Sequence, residues 1–144
     1  MIAVDTNILV YAHRRDSEWH EKAVQTITQL AEGKVPWAVP WPCLHEFLAI
    51  VTHPHIYGPP TPVEKALEQV EIWLESPSLC VLGELVGHWK ELKEIVSGGR
   101  IVGGAIHDAR VAAICREHGV PEIWSADRDF TRMKGLAVRN PLLR

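Results

Sequence analysis

The sequence predicts an α/β fold in which helices cover both faces of one central parallel sheet of about five strands. Short apolar segments alternate along the chain with longer segments of helical periodicity. This alternation is typical of parallel sheets, in which helices connect successive strands and pack on the sheet. The chain has 144 residues and no repeat or linker, so we expect one domain over residues 1–144.

The boundaries of these elements follow from proline, glycine and capping residues. The predicted strands cover residues 2–4, 37–39, 79–82, 122–124 and 137–139. The predicted helices cover residues 8–13, 18–32, 43–52, 62–75, 88–96 and 105–118. Pro42 suits a first helical turn, and Thr61-Pro62-Val63-Glu64 has the pattern of a capping box. Gly33, Gly98-Gly99 and Gly119 are predicted to end three of the helices.

Composition and charge restrict the class of protein. The formal net charge is −3, which is not typical of a dedicated nucleic-acid binder. Residues 1–99 carry 7 basic and 13 acidic side chains (−6), whereas residues 100–144 carry 8 and 5 (+3). The basic side chains from Arg100 to Arg144 therefore form either a phosphate-facing surface or an ordinary solvated face.

The sequence shows neither a membrane segment nor a secretion signal. No apolar run approaches the roughly 20 residues that span a bilayer, and no basic segment precedes the first strand. Cys43, Cys80 and Cys115 are odd in number and widely spaced, which argues against disulfides and a structural zinc site. We therefore expect a cytoplasmic protein.

Two of the predicted strands end in acidic residues. Asp5 follows the first strand, and Asp127 and Asp129 follow the fourth. Because the carboxyl ends of parallel strands meet at one edge of a sheet, these side chains are expected to lie close together. Each could instead be a cap or turn residue, which the free backbone amides of a turn favour. Either Asp127 or Asp129 can complete such a site, and we prefer Asp127 because it is nearer the strand.

Two further acids lie in predicted helices. Glu46 stands in a helix that is apolar on nearly every face, so we expect its carboxylate to be largely desolvated. Asp108 lies in the first turn of another helix, where the helix dipole alone would also favour it. Two carboxylates about 4 Å apart repel by roughly 4 kcal/mol at an effective dielectric of 20, so a group of four needs protons or a cation. An all-oxygen ligand set favours magnesium or manganese over zinc.

The same acidic motifs, in the same order, resemble those of PIN domains, and the chain as a whole is similar to VapC toxins. The resemblance lies in Asp5-Thr6-Asn7 after a short strand, Glu46 in its helix, Ile106-His107-Asp108-Ala109-Arg110, and Ser125-Ala126-Asp127-Arg128-Asp129-Phe130. The ending from Gly135 to Leu142 also looks like that of VapC toxins. The resemblance therefore extends over the whole chain.

This resemblance implies a magnesium-dependent endoribonuclease, with manganese as a possible substitute. Such a protein is the toxin of a type II toxin–antitoxin pair, and its partner is a small antitoxin. The toxin hydrolyses RNA through a metal-activated water and is usually a homodimer. Asp5 and Asp108 would be the principal metal ligands, and Glu46 and Asp127 would complete the catalytic acids. The supporting residues would be Thr6, Asn7, Ser125 and Asp129.

Other functions and other site residues stay open from the sequence. A PIN nuclease of RNA maturation or decay without an antitoxin has the same acids, so the motifs do not separate it from a toxin. A non-catalytic RNA-binding module is disfavoured because such a module would be expected to lose some of the acids. Trp37 and Trp41 precede the Glu46 helix and could stack RNA bases, although packing in the core is the more ordinary role of tryptophan.

Overall fold

Five parallel strands form one sheet, as the sequence predicted. The computed structural model describes residues 1–143, so Arg144, the last residue of the predicted domain, lies outside the described part. The strands are β1 (Ile2–Val4), β2 (Trp37–Pro40), β3 (Leu79–Leu82), β4 (Glu122–Trp124) and β5 (Ala137–Arg139). Their spatial order is β3-β2-β1-β4-β5. All four residues of β2 are buried, as expected for a strand that is covered on both faces.

The strand order reverses direction at β1. Its register pairs Ala3 with Ala38 of β2 on one side and with Ile123 of β4 on the other. The chain therefore moves outward from β1 through β2 and β3, then returns to the opposite side of β1 for β4 and β5. Ligand sites of open α/β sheets lie at such a switch point, beyond the carboxyl ends of the strands. Here that place is the end of β1 and β4.

Six helices connect these strands. They are α1 (Thr6–His13), α2 (His20–Glu32), α3 (Trp41–Val51), α4 (Val63–Leu74), α5 (His88–Gly99) and α6 (Ala105–Glu117), and a 3-10 helix covers Arg128–Arg132. Helix α1 packs against α2 and α3, and α5 packs against α6. The largest fully buried side chains are Trp37, Phe47 and Phe130, which come from the sheet, α3 and the 3-10 helix. The core thus continues to the segment that carries the last acids.

Two predicted helix boundaries were wrong. Thr61 does not cap α4, whose N-cap is Pro62. The Thr61 hydroxyl oxygen instead lies 3.0 Å from His13 Nε2 and accepts a hydrogen bond from Arg14 at 3.2 Å, because the preceding loop folds back on α1. Helix α5 does not stop before Gly98 but continues through Gly99, where a Cβ atom would lie 2.8 Å from the Arg132 carbonyl oxygen. Glycine is required there by this close approach to the 3-10 helix.

Within residues 1–143, no helix combines the length and the apolar character that a membrane span requires.

Candidate active site

An open cavity of about 290 Å³ lies at the switch point of the sheet, between α3 and α6. Asp5 and Thr6 form its floor at the end of β1. The residues that line it are Asp5, Thr6, Pro42, His45, Glu46, Ala49, His107, Asp108, Arg110 and Val111. Three of the four predicted catalytic acids therefore face one space, although they are far apart in the sequence.

Asp5 is the most buried acid of the site. Its side chain does not form a capping hydrogen bond to α1, so the alternative role as a helix cap is not supported. Its Oδ2 accepts hydrogen bonds from Ser125 Oγ at 2.7 Å and Asn7 Nδ2 at 3.4 Å, and its Oδ1 accepts one from Cys43 Sγ at 3.6 Å. Burial raises the pKa of Asp5, although the hydrogen bond from Ser125 opposes this change. Asp5 is thus a desolvated and firmly oriented carboxyl group.

Asn7 and Ser125 join the end of β1 to the segment after β4. Asn7 donates to Ser125 Oγ at 3.2 Å, and its Oδ1 accepts from the Ala126 amide at 3.1 Å. Ser125 Oγ also accepts from the Asp127 amide at 2.9 Å. Both predicted supporting residues therefore position other parts of the site. Thr6 lines the cavity, and its hydroxyl donates a hydrogen bond to the Cys43 carbonyl oxygen at 3.4 Å.

Asp108 is half-buried in the first turn of α6. Burial is the main cause that raises its pKa to about 7, and the negative charges of Asp5 and Asp127 are the next largest. Glu46 and Asp129 raise it further. Asp108 therefore lies within electrostatic reach of every other predicted acid of the site.

Asp127 and Asp129 both lie close to Asp108. Carboxylate oxygens of Asp108, Asp127 and Asp129 all lie within 4.8 Å of one another. Asp127 Oδ1 accepts a hydrogen bond from the Asp129 amide at 2.8 Å and so caps the 3-10 helix. Asp127 thus combines the capping role with a place in the acidic group, and the structure brings both candidates for the closing acid to the site.

Glu46 corrects one expectation from the sequence. Its side chain is exposed, whereas the apolar sequence of α3 had suggested a largely desolvated carboxylate. The reason is that α3 buries Cys43, Leu44 and Phe47 in the core but turns His45, Glu46 and Ala49 toward the open cavity. The apolar residues beside Glu46 therefore do not remove it from water.

Two contacts of the site could not be predicted from sequence motifs. The buried Cys43 thiol donates to Asp5, but the sequence around Cys43 gives no signal of this role. Arg110 lines the cavity two residues after Asp108, and its guanidinium lies 2.7 Å from Glu84 in the loop after β3. Its position two residues after Asp108 in the sequence is only a weak signal of a role in the site, since Arg110 is one of eight basic residues between positions 100 and 144.

The donor set fits a hard divalent cation. Three carboxylates within 4.8 Å, with Asp5 and Glu46 on the adjoining cavity walls, supply only oxygen ligands. Carboxylates this close together have to bind protons or a cation. The raised pKa of Asp108 means that, without a cation, this carboxyl group holds a proton more tightly than an ordinary aspartate does.

The cap function of Asp127 can be separated from its charge. Asn accepts the same capping hydrogen bond as Asp, whereas Ala does not, so Asp127→Ala should unfold more easily than Asp127→Asn by about 1 kcal/mol. Chemical denaturation of both variants without metal measures this difference. Equal stability of the two would show that the bond to the Asp129 amide contributes nothing.

Comparisons with known proteins agree with the fold. A family model described as the PIN domain matches residues 2–136. Ribonuclease VapC48 of Mycobacterium tuberculosis is 33% identical over 137 residues, which are 95% of this chain and 94% of that protein. VapC ribonuclease Mb2897 of Mycobacterium bovis is 33% identical over 142 residues, or 99% of this chain and 96% of that protein.

Solved structures show the same fold at lower identity. VapBC2 of Rickettsia felis, bound to a DNA fragment from its promoter, superposes with a TM-score of 0.72 at 19% identity and covers 97% of this chain and 98% of that chain. VapC20 of Mycobacterium tuberculosis, described as a toxin that cleaves the sarcin-ricin loop, gives a TM-score of 0.68 at 17% identity over 91% of this chain and 93% of that chain.

Proposed function

The chain belongs to the PIN-domain family of VapC ribonucleases, and from this membership we propose that it is a magnesium-dependent endoribonuclease. The observation that carries the proposal is the grouping of Asp108, Asp127 and Asp129, whose carboxylate oxygens lie within 4.8 Å of one another, next to the cavity that Asp5 and Glu46 also line. Carboxylates crowded in this way are unfavourable for the metal-free protein, so their positions are explained by a bound cation.

Each residue of the site has a role in this proposal. Asp5 and Asp108 would be the principal ligands of the cation, and Ser125 and Asn7 would hold Asp5 Oδ2 in place. Asp127 and Asp129 would complete the ligand set from the 3-10 helix. A bound Mg²⁺ would polarise the scissile phosphate and lower the pKa of the attacking water.

Glu46 and Arg110 serve different steps. The exposed carboxylate of Glu46, on the opposite wall from Asp108, would orient the attacking water and accept its proton. Arg110 would offer its guanidinium to the RNA phosphate, since its contact to Glu84 is partly exposed to solvent and therefore weak. Thr6 would contribute polar lining at the cavity floor.

The proposal is tested by RNA cleavage with purified protein. We expect the protein to cut total bacterial RNA with Mg²⁺ or Mn²⁺, to stop when EDTA is added, and to recover when Mg²⁺ is returned in excess. A heat-denatured sample is the control for contaminating nuclease. Cleavage that continues unchanged in EDTA would contradict the metal mechanism.

We further propose that the chain is the toxin of a type II toxin–antitoxin pair, with a small antitoxin as its partner and a homodimer as its assembly in the cytoplasm. The support is the likeness to VapBC and FitAB complexes, which extends over nearly the whole chain. A PIN nuclease of RNA maturation or decay would have the same site. Coexpression with the product of a short upstream reading frame distinguishes the two, because only a toxin should be co-purified with it and inhibited by it.

A further inference from the structure

We propose that Trp41 and His45 form a stacking platform for an RNA base at the edge of the cavity. This inference rests on the proposed ribonuclease function, since it assigns a subsite to the same substrate. Trp41 is the first residue of α3, and His45 lies one turn later on the same face. Their ring centroids are 6.1 Å apart with an interplanar angle of 29°, so the two rings are stacked.

The indole of Trp41 is accessible, and the backbone that carries it is restricted. Trp41 is 44% exposed, whereas Trp37, four residues earlier, is completely buried and donates to Ser76 Oγ at 3.3 Å. The structure thus separates the two tryptophans that the sequence left equivalent. Pro40 and Pro42 flank Trp41 and restrict its backbone, and the indole ring packs close to Gly83. An aromatic surface on a restricted backbone loses little conformational entropy when it binds a ligand.

The platform is continuous with the reaction site. His45 lines the cavity beside Glu46, and Trp41 stacks on His45 and precedes Pro42, which also lines the cavity. A nucleotide whose phosphate lies between α3 and α6 would therefore place a neighbouring base within reach of the indole. Every base has a π-face, so such stacking is tolerant of sequence and requires an unpaired base. The chemistry that Trp41 fits is a base of single-stranded or looped RNA.

The position of the platform beside the proposed reaction site favours RNA over a protein segment as its occupant. The cavity wall supplies Arg110 and the exposed histidines His45 and His107 next to the acids. A phosphodiester with a stacked base would contact both the cation site and these groups. A protein partner that covers Trp41 is the alternative occupant, and it is tested by measuring whether Trp41→Ala binds the antitoxin more weakly.

The experiment compares Trp41→Ala with Trp41→Phe on an RNA fragment that contains a cut site mapped from total RNA. Loss of one base–aromatic stack should raise KM by about tenfold and leave kcat within about twofold, because the stack is present in both ground and transition states. Trp41→Phe should restore most of the affinity. Trp89→Ala is the matched control, since Trp89 is 69% exposed but lies on α5, which contributes no residue to the cavity, whereas Trp41 adjoins Pro42 and stacks on His45, which do line it.

A binding measurement makes the test independent of turnover. Fluorescence anisotropy with a single-stranded oligoadenylate 12-mer and Ca²⁺ should show weaker binding to Trp41→Ala than to wild type, with Trp89→Ala unchanged. An unchanged KM and unchanged 12-mer affinity in Trp41→Ala would overturn the inference, as would an equal loss in Trp89→Ala. Weaker antitoxin binding without weaker RNA binding would assign Trp41 to a protein contact and also overturn it. Failure of wild type to cleave any RNA would instead count against the proposed function.

Discussion

Replacing Asp108 with Asn should lower the rate of RNA cleavage by about a thousandfold or more. The substitution preserves shape but removes the charge of a proposed principal ligand, which lies within 4.8 Å of Asp127 and Asp129. Loss of about 4 kcal/mol of transition-state stabilisation corresponds to a factor of about a thousand. Asp5→Asn should have an effect of similar size, because Asp5 is the other principal ligand in the proposal.

Initial rates of cleavage at saturating Mg²⁺ measure this effect. Glu71→Gln provides the control, since Glu71 is an exposed acid of α4 away from the cavity. Circular dichroism should show that both aspartate variants keep the wild-type helix content. Cleavage within tenfold of wild type in Asp108→Asn, with the fold intact, would remove Asp108 from the reaction.

In the metal-free protein, the same substitution should increase stability in a pH-dependent way. The pKa of Asp108 is raised from 3.8 to about 7, so between these values the folded state holds a proton that the unfolded state has released. This group therefore favours folding at low pH, and its contribution is lost as the pH rises toward 7. Asn at this position carries no charge at any pH and does not lose stability in this way.

Thermal unfolding in EDTA at pH 4, 6 and 8 tests this expectation. Wild type and Asp108→Asn should melt at nearly the same temperature at pH 4, and the variant should melt about 3 °C higher at pH 8. Saturating Mg²⁺ should reverse the order at pH 8, because it stabilises only a folded protein that binds it. A variant that is less stable than wild type in EDTA at pH 8 would mean that Asp108 is a structural residue.

The strands and the approximate helix positions could be predicted because they depend on local patterns. Apolar segments, and the glycine and proline residues that separate them, are visible along the chain, and all five strands were predicted from them. The prediction of a capping box at Thr61 was wrong because the contacts of Thr61 are not local. The Thr61 hydroxyl contacts His13 and Arg14, and a contact across 48 positions has no local signature.

The candidate site could be predicted in outline because strand ends converge at one edge of a parallel sheet. The exposure of Glu46 could not be predicted, since it depends on which face of α3 borders an open space. The sequence also does not distinguish Asp127 from Asp129. The 3-10 helix turns both side chains toward Asp108, a consequence of local backbone geometry after β4.

The pairing of β1 with β4 has a consequence for biosynthesis. Strand β1 is synthesised long before β4, so one of its two neighbours is not complete until residue 124 has been synthesised. Asp127 and Asp129 follow later still, and Ser125 and Asn7 can orient Asp5 only when both are present. Long-range contacts of this kind form late in folding. A nascent chain on the ribosome therefore cannot assemble the proposed site until residue 129 has been synthesised, so under this proposal the RNA of the translating machinery is not exposed to an active nuclease before that point.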